Sequence, residues 1–146
     1  MSKKLTLIVI TLWVGALWMT GLSAYLLFSK LHDAKLAGNI GGTLFTAVAY
    51  IGMLSGFYLL IQRLLEFGTG ALKQSYFWAT FVMLLLVMAG HFGIQPLLAQ
   101  MKASALPSDV MQSVFADRFR TWHGMASVAY LVECLLGFVL VLKVRN

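Results

Sequence analysis

Residues 74–101 read QSYFWATFVMLLLVMAGHFGIQPLLAQM, a run without a single Asp, Glu, Lys or Arg. At about 1.5 Å of rise per residue, a helix of this length crosses the roughly 30 Å hydrocarbon core of a bilayer. Three further stretches behave alike. No charged side chain lies between Lys4 and Lys30 or between Lys35 and Arg63, and the stretch from Arg120 to Lys143 is interrupted only by Glu133. The apolar runs are continuous, without two-residue alternation, which selects helices over barrel strands. The chain is therefore expected to be an all-α integral membrane protein. Its one transmembrane domain, 1–146, has spans near 5–29, 36–62, 74–101 and 121–142.

Composition agrees. Hydrophobic residues make up 60% and charged residues 11% of the chain, against about 25% charged in a soluble domain. The formal net charge of +6 does not point to nucleic acid, because the basic residues bracket the apolar runs instead of sharing a face. The partner they imply is the lipid bilayer. A lone cysteine, Cys134, cannot close an internal disulfide. The first apolar run continues to Ser29, beyond the roughly 7–15 residues of a signal-peptide core. Cleavage after Ala24 would also place Leu22 where a small residue is needed, so the run is read as a retained span.

Short connections at Lys30–Lys35 and Arg63–Lys73 make successive spans antiparallel, giving a four-helix bundle with both termini on one side. Placing the termini in the cytoplasm puts Lys3, Lys4, Arg63, Lys73, Lys143 and Arg145 there, against Lys30, Lys35, Lys102, Arg118 and Arg120 opposite. The narrow basic excess favours cytoplasmic termini. In the longer connection, Pro107-Ser108-Asp109 reads as a helix cap, with Gln112 three residues on. Val110, Met111, Val114, Phe115 and Phe119 then recur at helical spacing. A short amphipathic surface helix between spans 3 and 4 is expected, with a partner-binding helix or a lid over the bundle end as the alternatives. Trp78 and Trp122 fall where an interfacial aromatic belt belongs, while Trp13 and Trp18 are expected to pack inside.

On the second span, Gly38, Gly42, Phe45, Ala49, Gly52 and Gly56 follow one another at helical spacing as one stripe of mostly small residues. Such stripes let helix backbones approach closely in lipid. Packing within the bundle against Ala16, Thr20 and Ser23 is expected, leaving a monomer or weak homodimer.

Two ionisable residues lie deep in the last two spans. A rotation of about 100° per residue gathers His123, Ser127, Tyr130, Glu133, Cys134 and Gly137 on one face of the fourth span, with Met125, Val128, Val132 and Leu135 opposite. On the third span the same construction groups Thr80, Leu84, Met88, His91, Gln95 and Leu98, and turns Val82, Leu85, Leu86 and Ala89 away. Counted from the Lys102–Arg120 side, His91 and Glu133 differ in depth by only about 3 Å. A lone midplane carboxylate costs several kcal/mol, so Glu133 needs a partner, a water cavity or a proton. A polar centre of His91, Glu133, Gln95, Tyr130 and His123 is expected. A structural clasp is the first reading and a proton or cation relay the second. His91 and His123 are the candidate ligands for haem or copper, but their depths differ by roughly 12 Å, so no cofactor is expected. Pro96 withholds the amide that would bond the carbonyl of Phe92, and a kink is expected beside His91. No phosphate loop, nucleophile elbow or metal-spaced Cys/His cluster occurs, so the chain reads as non-enzymatic.

The segments Trp13-Val14-Gly15-Ala16-Leu17-Trp18 with Gly21, Ala37-Gly38 followed by Gly42-x-Leu44-Phe45, His91-Phe92-Gly93-Ile94-Gln95-Pro96, and Phe119-x-x-Trp122-His123 with Tyr130-Leu131 carry a resemblance across nearly the whole chain. They resemble a small bacterial four-span membrane-protein family of unknown function, related to the transmembrane-protein-205-like group. The resemblance implies a multi-pass protein of the bacterial inner membrane and transfers no catalytic residue. A remoter similarity, to four-span proteins of the copper-resistance D and protoporphyrinogen-oxidase type, is one of fold alone.

Overall fold

The computed structural model describes residues 3–145. Five helices follow in order: α1 (Lys3–Lys30), α2 (Ala34–Phe67), α3 (Ser75–Met88), α4 (Gln95–Ala105) and α5 (Ala116–Lys143). A π-helical turn, Ala89–Ile94, joins α3 to α4, so Ser75–Ala105 runs as one long helical span. No strand occurs among the described residues. Four helical segments, Lys3–Lys30, Ala34–Lys73, Ser75–Ala105 and Ala116–Lys143, are long and apolar enough to cross a membrane.

The helix boundaries follow from local chemistry. Asp33 begins α2, its Oδ1 accepting from the amides of Lys35 at 3.0 Å and Leu36 at 3.1 Å, which satisfies donors that a helix start leaves open. Gly68, at φ 54°, ends it, a backbone angle that a side chain would strain. The 3-10 segment Gly68–Lys73 then leads into α3.

This differs from the expected loop at Arg63–Lys73. Arg63 lies within α2 and is buried at 6% exposure. Its Nε donates to Gln74 Oε1 at 2.5 Å, and its guanidinium covers the rings of Tyr76 and Phe67, 4.4 and 4.6 Å from their centroids. A guanidinium can leave water where acceptors and aromatic faces replace its hydration, and with these partners the helix runs through Arg63 to Phe67.

Packing links α1 to α2, α2 to α3, α3 to α5 and α5 back to α1. The core among these helices centres on Trp13, with Leu17, Val48, Leu59, Met83, Val87 and Leu140. Thr80 and Leu84 are buried, while Val82, Leu85, Met125, Val128, Val132 and Leu135 turn outward, following the helical periodicity. Trp18 departs from its expected interior place. It is 43% exposed, with its ring 5.1 Å from that of Phe138. Trp13 already fills the core one turn earlier, and a rotation of about 500° over five residues turns Trp18 toward the outer side.

The small-residue stripe divides in two. A Cβ placed on Gly52 would lie 2.8 Å from Trp13 Nε1 and 3.1 Å from Val87, and one on Gly56 would meet Leu84 at 3.0 Å and Trp13 at 3.3 Å. These two glycines receive the indole of α1, where small residues on α1 were expected. A Cβ on Gly42 would meet nothing within 4 Å, and one on Gly38 would meet only Lys102 Nζ, at 3.6 Å.

The connection between the third and fourth spans contains a one-turn 3-10 segment, Val110–Gln112, capped by Asp109 Oδ1 accepting from the Met111 amide at 3.2 Å. The cap stands where the residues placed it. Ser113 interrupts the helical run, its hydroxyl donating to the Val110 carbonyl at 2.6 Å and accepting from the Phe115 amide. No continuous amphipathic helix therefore joins Val110 to Phe119, and Phe119 belongs to α5. Val110 is buried against Met101 and Ala105, with Leu98, Phe119 and Trp122 packed around them.

Candidate functional site: a cavity between the helices

Beyond the π turn the packing changes. Above it, α3 rests on α2 and α5; α4 makes its contacts with α5 and with the Val110–Gln112 turn. Gln95, the first residue of α4, still reaches α2, its Oε1 accepting from the Thr46 hydroxyl at 3.3 Å. Past that bond a cavity of about 1030 Å³ lies among α1, α2, α4 and α5. The glycines of α2 border it, and the absence of side chains at Gly38, Gly41 and Gly42 widens it. Leu106, Ser108, Asp109 and Val110 of the long connection line its outer end.

The π turn carries His91. The Gln95 amide donates to the Gly90 carbonyl, five residues back. Pro96 has no amide to continue the α-helical pattern, and the widened turn is where the ladder accommodates it. Such turns expose backbone and side chains that a regular helix would cover. The expected disturbance near His91 is present as a π turn, with α4 continuing after it.

His91, Gln95, His123, Tyr130 and Glu133 all line this one cavity. The structure does not, however, join them into one hydrogen-bonded network. Tyr130 donates to the Leu17 carbonyl of α1, and its ring meets Phe45 edge-on at 5.1 Å. His91 lies edge-on to Tyr50 at 5.1 Å and to Phe92 at 4.9 Å, and its Nδ1 is buried with no hydrogen-bond partner among the described residues. Glu133 is only 6% exposed. No hydrogen bond between His91 and Glu133 occurs among the described residues; both groups border the same space. Nearer the outer end, His123 stacks on Phe119 at 5.7 Å.

Lys102 was read from the sequence only as a span-end anchor, yet it too lines the cavity. Its Nζ lies 5.8 Å from the centroid of Phe119 and, as noted, beside Gly38. The spacing from His91 hinted at an inward direction, since eleven residues make about three helical turns. A second polar cluster, Arg63 with Gln74 and Gln62 with Glu66 at 2.5 Å, sits at the far end of α2. The apolar core around Trp13 separates it from the cavity.

Among the described residues, no three His, Cys, Asp or Glu side chains stand close enough together to hold a metal ion. The two histidines face the cavity from different levels, each engaged with aromatic rings.

A family model of unknown function, DUF4149, matches residues 8–107, more than two-thirds of the chain. The chain belongs to this family. Within the DUF4149 segment lie the α2 glycines, the π turn with His91, Gln95 and Lys102. Tyr130, Glu133 and His123 lie beyond it on α5, so the cavity is built from the DUF4149 segment and the helix that follows. No curated protein and no solved structure matches the chain.

Proposed function

We propose that this is a non-enzymatic multi-pass protein of a bacterial inner membrane that holds a small solute in the cavity, as the binding component of a transport step. In this reading the four spans form an antiparallel bundle with both termini in the cytoplasm. The cavity then opens toward the periplasm, and the connection from Leu106 to Met111 serves as its lid.

One observation carries the reading: a volume of about 1030 Å³ bordered by His91, Gln95, His123, Tyr130 and Glu133, with further polar groups such as Lys102 toward its outer end and mostly apolar residues between. Packed protein interiors hold few voids larger than a water molecule. Small-molecule sites typically measure about 300–1,000 Å³, with a few placed polar groups in an apolar lining. A clasp that only holds helices in register needs no such space, whereas a site that takes up a solute does.

Cysteine labelling tests this. In a Cys134→Ala background, Gly42→Cys is expected to react with a membrane-impermeant maleimide in right-side-out vesicles, while Leu85→Cys on the outer face stays unreacted. Reaction only in inverted vesicles would reverse the orientation and keep the cavity. If Gly42→Cys fails in both preparations while Ser108→Cys reacts, the solute-site reading is wrong.

A further inference from the structure

Resting on that reading, we propose that the solute is an amphipathic organic anion whose acidic group is held by Lys102 while its apolar body extends inward toward His91.

Lys102 is partly buried at the outer part of the cavity, near the end of the third span. Its ammonium reaches across from α4 to the bare backbone of Gly38 and lies over Phe119. Among the described residues it forms no ion pair; the Asp117–Arg120 pair lies elsewhere, on the exposed start of α5. Asp109 lines the same end, with its Oδ1 accepting from the Met111 amide, and forms no ion pair with Lys102. An ammonium half-withdrawn from water, with apolar walls and no carboxylate on it, complements an anion. Lys35 and Asn39 add a second cation and an amide to the same lining.

The deep end has the opposite character. Glu133 borders it and no Lys or Arg does, so a second acidic group on the solute would be buried there beside a carboxyl with no cation to pair it. The favoured solute is therefore a monoanion, oriented with its charge outward. Between the two ends stand Leu98, Ile94, Phe45 and Ala49, a wall suited to an aromatic or aliphatic body. Eleven residues separate His91 from Lys102, about 16 Å at helical rise, which bounds the length of the body. His91 Nδ1, buried and without a partner, together with the Gln95 amide, can hydrogen-bond a neutral polar group at the inner end. A hydroxy- or oxo-substituted aromatic or medium-chain carboxylate has all three features.

The test uses the full chain in phosphatidylcholine nanodiscs, whose zwitterionic lipid adds no net surface charge. The probes are 6-hydroxy-2-naphthoate, its neutral carboxamide and the corresponding naphthylmethylamine, followed by naphthalene fluorescence. The carboxylate is expected to bind at least about tenfold more tightly than the carboxamide, as one charge-assisted contact allows. Lys102→Gln should abolish that preference, Lys102→Arg should keep most of it, and Gly42→Phe should block all binding by filling the cavity. Equal binding of carboxylate and carboxamide, tighter binding of the amine, or a preference unchanged in Lys102→Gln would each overturn the anion assignment. No binding by any probe, with Gly42→Cys still labelled from water, also overturns it and leaves the solute-site reading standing. If labelling fails as well, both fall together.

Discussion

Gly52 meets the indole of Trp13 so closely that a methyl group there would stand 2.8 Å from Nε1. Trp13 is fully buried, and its Nε1 has no acceptor among the described residues, so the ring is held by shape alone. Adding a methyl group to a filled core costs about 1–3 kcal/mol. The higher helix propensity of Ala returns only about 0.5–1 kcal/mol in water. Gly52→Ala is thus expected to lower the thermal midpoint in mild detergent. Gly42→Ala, with nothing within 4 Å of its Cβ, should leave the midpoint unchanged or raise it. Equal melting of the two variants would show that the Trp13 contact is slack. At this scale much was legible. The inward turn of Glu133, Thr80 and Leu84 follows from helical period alone, since each register position fixes a direction. The receiver of Gly52 and Gly56 was not legible. A glycine stripe announces a close approach without naming the side chain that arrives.

Among the elements, the end of α2 and the π turn decide the architecture. Arg63 ties α2 to the start of α3 through Gln74 and the faces of Tyr76 and Phe67. Its loss strands Gln74 in a half-buried position and removes two cation–π contacts, worth about 0.5–2 kcal/mol each. Arg63→Ala is expected to destabilise the protein by at least about 2 kcal/mol, read as a lower denaturant midpoint, and Arg63→Lys should recover only part of it. Full recovery by lysine would mean that charge alone is required and the planar fork is not. The sequence marked Arg63 only as the end of an uncharged run, because a rule based on absence of charge places every arginine outside. Pro96 did announce a disturbance near His91. Whether the chain kinks, breaks or widens into a π turn depends on what neighbouring helices press against it, and that is a tertiary matter.

For the molecule as a whole, the tightest glycines are committed to contacts within the chain. Gly52 and Gly56 receive Trp13, Val87 and Leu84, so this part of the stripe is unavailable as a seam between copies. The purified protein is expected to run as a monomer or weak dimer by light scattering in detergent. Its absorption spectrum should lack a Soret band, and elemental analysis should find copper well below one per chain. A stable dimer dispersed by Gly38→Leu but not by Gly52→Leu would place a seam at the cavity end of α2. Stoichiometric copper lost on replacing His91 would convert the cavity into a metal site.

The chain's uncharged runs alone determined that it is helical and has four segments able to cross a membrane. Over some twenty consecutive apolar residues, the cost of exposing backbone to lipid leaves a helix as the open-ended solution. Periodicity also determined which side of each helix carries the polar groups, and all five predicted polar residues reach one space. Only the tertiary structure set a cavity of about 1030 Å³ among them, with no hydrogen bond from His91 to Glu133 among the described residues. Separation between helices depends on packing beyond the π turn, where α4 lies along α5 and bare glycines face it across the gap. That separation sends Tyr130 to a backbone carbonyl of α1 and Gln95 to Thr46. It also brings Lys102 to Gly38, a meeting of residues sixty-four positions apart that no local pattern encodes.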